Sequence, residues 1–187
     1  MGLIIFLLLM LAFGIAAIVI RNNIIRHHNA TQRAWADVAT YERQKVKVLD
    51  GLAPLVEQYA GFEKGTLEKV TELRQQIMTL NLDNTDISQL QRIESLNKEL
   101  MQSLHVVVEN YPELKANEVY LRMMNEIDEQ NENVSAAISI FNRNVELFNN
   151  HIQIFPNNIV NTVTAGKKPI RSFRDNNLQN FDYRPNF

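Results

Sequence analysis

The side chains able to do chemistry are few and poorly grouped. Di-iron helical bundles take their ligands from Glu-x-x-His pairs on facing helices. Here His105 follows Gln102 and His151 follows Phe148 at that spacing, so neither histidine brings a carboxylate with it. Cysteine is absent, which removes thiol nucleophiles, thiolate metal sites, disulfides and the residue that a bacterial lipoprotein signal lipidates. No catalytic residue, cofactor site or metal site is expected, and the chain reads as a non-enzyme. His27 and His28 follow an apolar run, where imidazoles can titrate near neutral pH and report on a membrane surface, although polar residues at such a boundary need no further role. Glu126, Asp128, Glu129 and Glu132 could hold a cation weakly, but one solvated helix face accounts for all four. Gln130 and Asn131 interrupt an apolar stripe between Ile127 and Val134. Buried amides fix register in helical bundles, and register rather than ligand binding is also the reading for Asn142 and Asn149.

Helices must position these groups. Val134, Ile138, Phe141, Val145, Phe148, Ile152 and Phe155 succeed one another at steps of 4, 3, 4, 3, 4 and 3, the spacing of one buried helical face. Pro112 suits a first helical turn and Pro156 cannot continue a helix, which predicts one long helix between them, of up to about 40 residues. Tyr111 and Asn117 are expected to shape its start, Tyr111 by packing and Asn117 by bonding to backbone.

Residues 2–20 form a run of 19 without a charged or classically polar side chain, ending at Arg21. At 1.5 Å per residue the run reaches about 28 Å, roughly the hydrocarbon thickness of a bilayer, so it is expected to span as a retained anchor. A cleaved signal peptide is the competing reading, with Ala12-Phe13-Gly14 a weak cleavage site. No Lys or Arg precedes the run, however, and it is longer than the usual apolar region of a signal. Arg21, Arg26 and Arg33 follow it, and the positive-inside rule then places the N-terminus outside and the rest of the chain in the cytoplasm. The expected address is the cell (inner) membrane, crossed once, with Arg21, Arg26, His27 and His28 at its surface.

Past Arg21 the pattern is helical throughout. Trp35, Val38, Tyr41, Val48, Leu49, Leu52, Val56 and Tyr59 make a first stripe, with the anchor running into the same helix and a kink or break expected near Pro54. Residues 62–82 carry a second stripe (Leu67, Val70, Leu73, Ile77, Leu80), and residues 87–110 a third (Leu90, Ile93, Leu96, Leu100, Leu104, Val107), with capping and turn residues at 81–86 between them. Short connections predict an all-α fold, an antiparallel four-helix up-and-down bundle over residues 22–156 behind an anchor at 1–21. Residues 157–187 are polar and basic and are expected to be irregular, with Phe173, Phe181, Tyr183 and Phe187 available to pack back on the bundle. The net charge of −2 is unevenly spread, +3 over residues 21–50 against −7 over residues 83–146. A near-neutral total gives no reason to expect nucleic acid as a partner, while a basic segment beside the anchor suits an anionic inner leaflet.

Tyr111-Pro112-Glu113-Leu114-Lys115-Ala116-Asn117, Glu132-Asn133-Val134, Phe141-Asn142, Val145, Phe148-Asn149, Ile152 and Phe155-Pro156 together resemble the C-terminal signature of the LemA family. Upstream, Ala34-Trp35-Ala36-Asp37-Val38, Tyr59-Ala60-Gly61-Phe62-Glu63 and Leu67-Glu68-Lys69-Val70 resemble that family's first helical hairpin. Two places depart from it. The usual double Arg and Asp-Leu-Ile-Pro-Asn-Leu is replaced by Gln44-Lys45 and Lys47-Val48-Leu49-Asp50-Gly51-Leu52, with the proline displaced to Pro54, and an Ala-Arg pair in the last helix is replaced by Ala137-Ile138. The resemblance implies a membrane-anchored four-helix bundle of bacterial type and supplies no reaction. The expected role is an adaptor or scaffold for envelope or membrane proteins, with a homo-oligomer allowed. A lipid- or small-molecule-binding regulatory module is the alternative, and a hydrolase with an unrecognised site is the third reading.

Overall fold

The computed structural model describes residues 1–60 and 64–174. Among the described residues there is no strand. Four long helices, α1 (Gly2–Ala60), α2 (Lys64–Thr79), α3 (Ile87–Asn110) and α5 (Glu118–Gln153), are joined by the single-turn helix α4 (Pro112–Lys115) and followed by α6 (Asn157–Val160) and a π-turn at Asn161–Ala165. The chain forms two compact units. One holds Met1–Ala34 and Ile140–Ser172; the other holds Trp35–Ser139 together with Phe173 and Arg174.

In the second unit the expected stripes face inward. Trp35, Val38, Leu49, Leu52 and Val56 of α1, Val70, Leu73 and Ile77 of α2, and all six stripe residues of α3 are buried, whereas Leu67, Tyr41 and Val48 are only half-buried. The indole N–H of Trp35 donates to the Asn81 carbonyl at 2.8 Å and Arg43 donates to the Leu80 carbonyl at 3.0 Å, so α1 satisfies the backbone groups that the end of α2 leaves open. The turn follows its side chains: Asn81 Oδ1 accepts from the N–H groups of Asp83 and Asn84, and Asp86 caps α3 by accepting from Gln89 N–H. Between α2 and α3, Thr66 and Ser103 share a 2.6 Å bond and Arg92 reaches Glu72 at 2.9 Å, an antiparallel register.

Three expectations on helix boundaries are corrected. Of the kink or break expected near Pro54, the break does not occur, for Pro54 lies inside α1. One backbone hydrogen bond is lost there, but Leu52 and Val56, both fully buried, hold the helix on either side. The long helix expected from Pro112 is interrupted, because Asn117 Oδ1 accepts from Val119 and Tyr120 N–H at 2.9 and 3.1 Å and so starts α5 afresh, while buried Leu114 plugs the short α4 before it. Residues 157–165, expected to be irregular, form α6 and the π-turn, closed by Gly166 in the left-handed region (φ 59°), whose N–H reaches the Asn161 carbonyl, while residues 166–174 carry no regular structure. That φ suits glycine because no Cβ crowds it.

In the first unit residues 2–16 of α1 are exposed and apolar, and this end of α1 is long and apolar enough to cross a membrane. Shielding begins at Ala17 and Ile20. Ile24, Phe148 and Ile152 form a core against which Ile20, Ala165 and Ile170 pack.

Candidate functional site

The groups with chemical potential fall at two places, one in each unit. In the first unit α1 brings His27 and His28 beside the last turns of α5. The His27 and His151 rings lie 4.8 Å apart, and His28 meets Phe148 edge-on at 5.4 Å. Thr31, fully buried, donates towards both the His27 and Asn144 carbonyls at 3.1 and 3.2 Å, which ties α1 to α5 beside the histidines. Burial and the charge of Lys167 hold the His28 imidazole below its ordinary value, with a hydrogen bond to Asn29 opposing them. Burial, then the neighbouring His27, does the same to His151. Both rings are thereby biased towards the neutral form.

The chain from 157 to 170 is laced onto this cluster by asparagines. Asn157, buried, donates to the His151 carbonyl at 3.0 Å; Asn161, also buried, pairs with both the N–H and the carbonyl of Lys167. Asn149 does the same to Ile170, at 2.8 and 2.9 Å. Asn149 thus fastens the C-terminal segment to α5, a role for which the heptad spacing of Asn142 and Asn149 gave no signal. Asn142 is half-buried, and Arg21 and Arg26 are exposed.

In the second unit the polar layer expected at Gln130 and Asn131 has a partner the sequence did not reveal: Asn97 of α3, buried, donates to Asn131 Oδ1 at 3.1 Å. Asn97 Oδ1 and Gln130 Oε1 accept no bond among the described residues. Glu42 and Lys45 are the groups that sequence reasoning missed. Both are fully buried, and Lys45 Nζ lies 3.2 and 3.4 Å from the two Glu42 carboxylate oxygens. A signal was present, since residues 38, 42, 45, 49, 52 and 56 continue the same 4-3 alternation across the gap between Val38 and Leu49. Glu126, Asp128, Glu129 and Glu132 are exposed on α5. Among the described residues no three His, Asp or Glu side chains are grouped to hold a metal ion.

Of the motif residues, Leu114, Phe141 and Phe148 are buried and Asn117 caps α5 as expected, while Tyr111 is only half-buried and Pro112, Lys115, Ala116 and Pro156 are exposed. Phe155 corrects the expected stripe. It is 78 % exposed, because α5 ends at Gln153 and the helical period stops applying two residues before it. Phe173 is buried, and Gln91 donates to the Arg174 carbonyl at 2.9 Å. Gly61, Phe62, Glu63, Phe181, Tyr183 and Phe187 lie outside the described residues, as does the side chain of Tyr59.

The profile of the LemA family matches residues 34–180. The chain is also 29 % identical over 123 residues to the curated Protein LemA of Metamycoplasma hominis, an alignment covering 65 % of this chain and 54 % of the relative, so the chain spans about half the length of that protein. Capped α5, the Leu114 plug and the buried Phe141 and Phe148 all lie within the matched region, and the chain belongs to the LemA family.

Proposed function

We propose that this protein is a single-pass membrane protein whose helical domain acts, without catalysis of its own, as an adaptor for other envelope or membrane proteins. The observation that carries the reading is the continuity of α1, 59 residues without a break from the apolar run into the buried stripe. A helix that carries both the anchor and a buried stripe keeps the domain at the membrane, as suits presentation of a surface to neighbours. In this reading α1, α2, α3 and α5 pack as an antiparallel up-and-down bundle in the cytoplasm, and the exposed acidic face of α5 (Glu126, Asp128, Glu129, Glu132) is the surface offered. Exposed charge at a protein contact steers encounter and selects partners.

The test places a photo-reactive amino acid at Glu126 or Glu132 in the full chain in native membranes. Both positions should give the same cross-linked product with one other envelope protein, and Glu129→Lys should diminish it. Products containing only this chain, or none, would sink the adaptor reading.

A further inference from the structure

We propose that the corner joining α5 to the C-terminal segment, residues 154–166, is a second membrane element that inserts into the interface between lipid headgroups and acyl chains beside the anchor. The inference rests on the reading of residues 2–20 as a membrane span.

Four observations converge on it. Ile154, Phe155, Ile159 and Val163 are 54, 78, 53 and 77 % exposed, four large apolar side chains left open within ten residues of chain, a density that marks interaction or membrane surfaces. The thirteen residues 154–166 contain no charged side chain. Their polar side chains are turned onto backbone: Asn157 donates to the His151 carbonyl, Asn158 accepts from Ile159 N–H, Asn161 pairs with both backbone groups of Lys167, Thr162 donates to the Asn158 carbonyl and Thr164 to that of Val160. Such internal satisfaction is what a corner of short, broken helical turns needs where water is scarce.

The third observation is level. Ile20, the last residue of the apolar run, packs against the same Ile24–Phe148–Ile152 core as Ala165 and Ile170, and shielding of α1 begins a turn deeper, at Ala17. Gln153, where α5 ends, directly follows Ile152, so the corner starts within about a helical turn of the end of the span. The corner therefore sits at the level where the apolar run of α1 ends. The fourth is charge. Met1–Ala34 and Ile140–Ser172 together carry seven Lys and Arg against one Glu, and Lys167, Lys168 and Arg171 immediately follow the uncharged stretch. Basic residues rimming an apolar surface suit anionic headgroups above a partly buried wedge.

The chain has no native cysteine, so a single substitution gives a unique labelling site. Full-length protein with a nitroxide at Phe155→Cys, Val163→Cys, Phe6→Cys in the anchor or Val106→Cys on α3 is reconstituted in bilayers of phosphatidylcholine and phosphatidylglycerol. Collision with oxygen, which concentrates in lipid, is compared with collision with a water-soluble nickel chelate. All four sites are exposed, so labelling should leave helix content, followed by circular dichroism, intact. Labels at 155 and 163 should favour oxygen, as at Phe6, while the label at 106 favours nickel. Three outcomes overturn the proposal. Nickel access at 155 and 163 equal to that at 106 puts the corner in water, and shielding from both reagents means that protein covers it. Nickel access at Phe6 as well removes the span itself, and that failure is distinguishable because the first two leave the anchor in lipid.

Discussion

At the scale of single residues the Glu42–Lys45 pair is a costly arrangement. Two charges leave water entirely, and the contact between them repays that desolvation only while both are present. Among the described residues Glu42 Oε2 has no hydrogen bond beyond the charge contact. Lys45→Met, which keeps the volume and removes the ammonium, should destabilise the protein by about 3–5 kcal/mol because it strands a buried carboxylate. Glu42→Leu combined with Lys45→Met should recover most of that loss, as hydrophobic replacement of a whole buried pair is commonly neutral or better. Urea denaturation of the full chain in detergent micelles would read both. A single variant that unfolds at the wild-type midpoint would show that the pair is solvated.

At the scale of elements, the junction of α1 and α5 in the first unit makes a pH-dependent joint. His28 and His151 are both held below their ordinary value by burial first, then by the charge of Lys167 for His28 and by His27 for His151. Arg26 on the same turn of α1 and Glu146 on α5 are exposed, and the half-buried Lys167 comes from the C-terminal segment. Below about pH 6.5 the unfolded chain takes up protons that the folded one resists, so stability is unaffected above that value and falls as pH drops through it. The melting temperature should decline as pH falls below about 6.5, and His28→Gln with His151→Gln should flatten the slope; an equal slope in the double variant would assign the decline elsewhere. The sequence showed α3 to the residue, because six apolar positions at helical spacing lie between a capping Asp86 and Tyr111. It did not show His151 against His27, since only the antiparallel course of α1 and α5 brings together residues so distant in the chain. Nor did it place Phe155, whose spacing continued a helix that the backbone had already ended, or Asn149 with Ile170, a pairing of side chain with backbone that leaves no periodic trace.

At the scale of the whole molecule the charge is segregated. Met1–Ala34 and Ile140–Ser172 carry a net +6 in a chain whose total is −2, so the remaining residues are strongly acidic. Arg21, Arg26 and Arg33 follow the apolar run within fifteen residues of its end, the distance over which flanking Lys and Arg decide orientation. A segment followed by three arginines should leave its C-terminal side in the cytoplasm, where anionic lipid also meets the basic surface. A protease-sensitive tag at the C-terminus should then be digested in inverted membrane vesicles and protected in intact spheroplasts. Replacing the three arginines with asparagine should produce a mixture of the two orientations, because Lys167, Lys168 and Arg171 enter the balance only after the span has been set. Digestion in intact spheroplasts would reverse the assignment and move the search for partners to the outer face of the membrane. Protection in spheroplasts for both the native chain and the asparagine variant would instead show that the domain holds its side without the arginines.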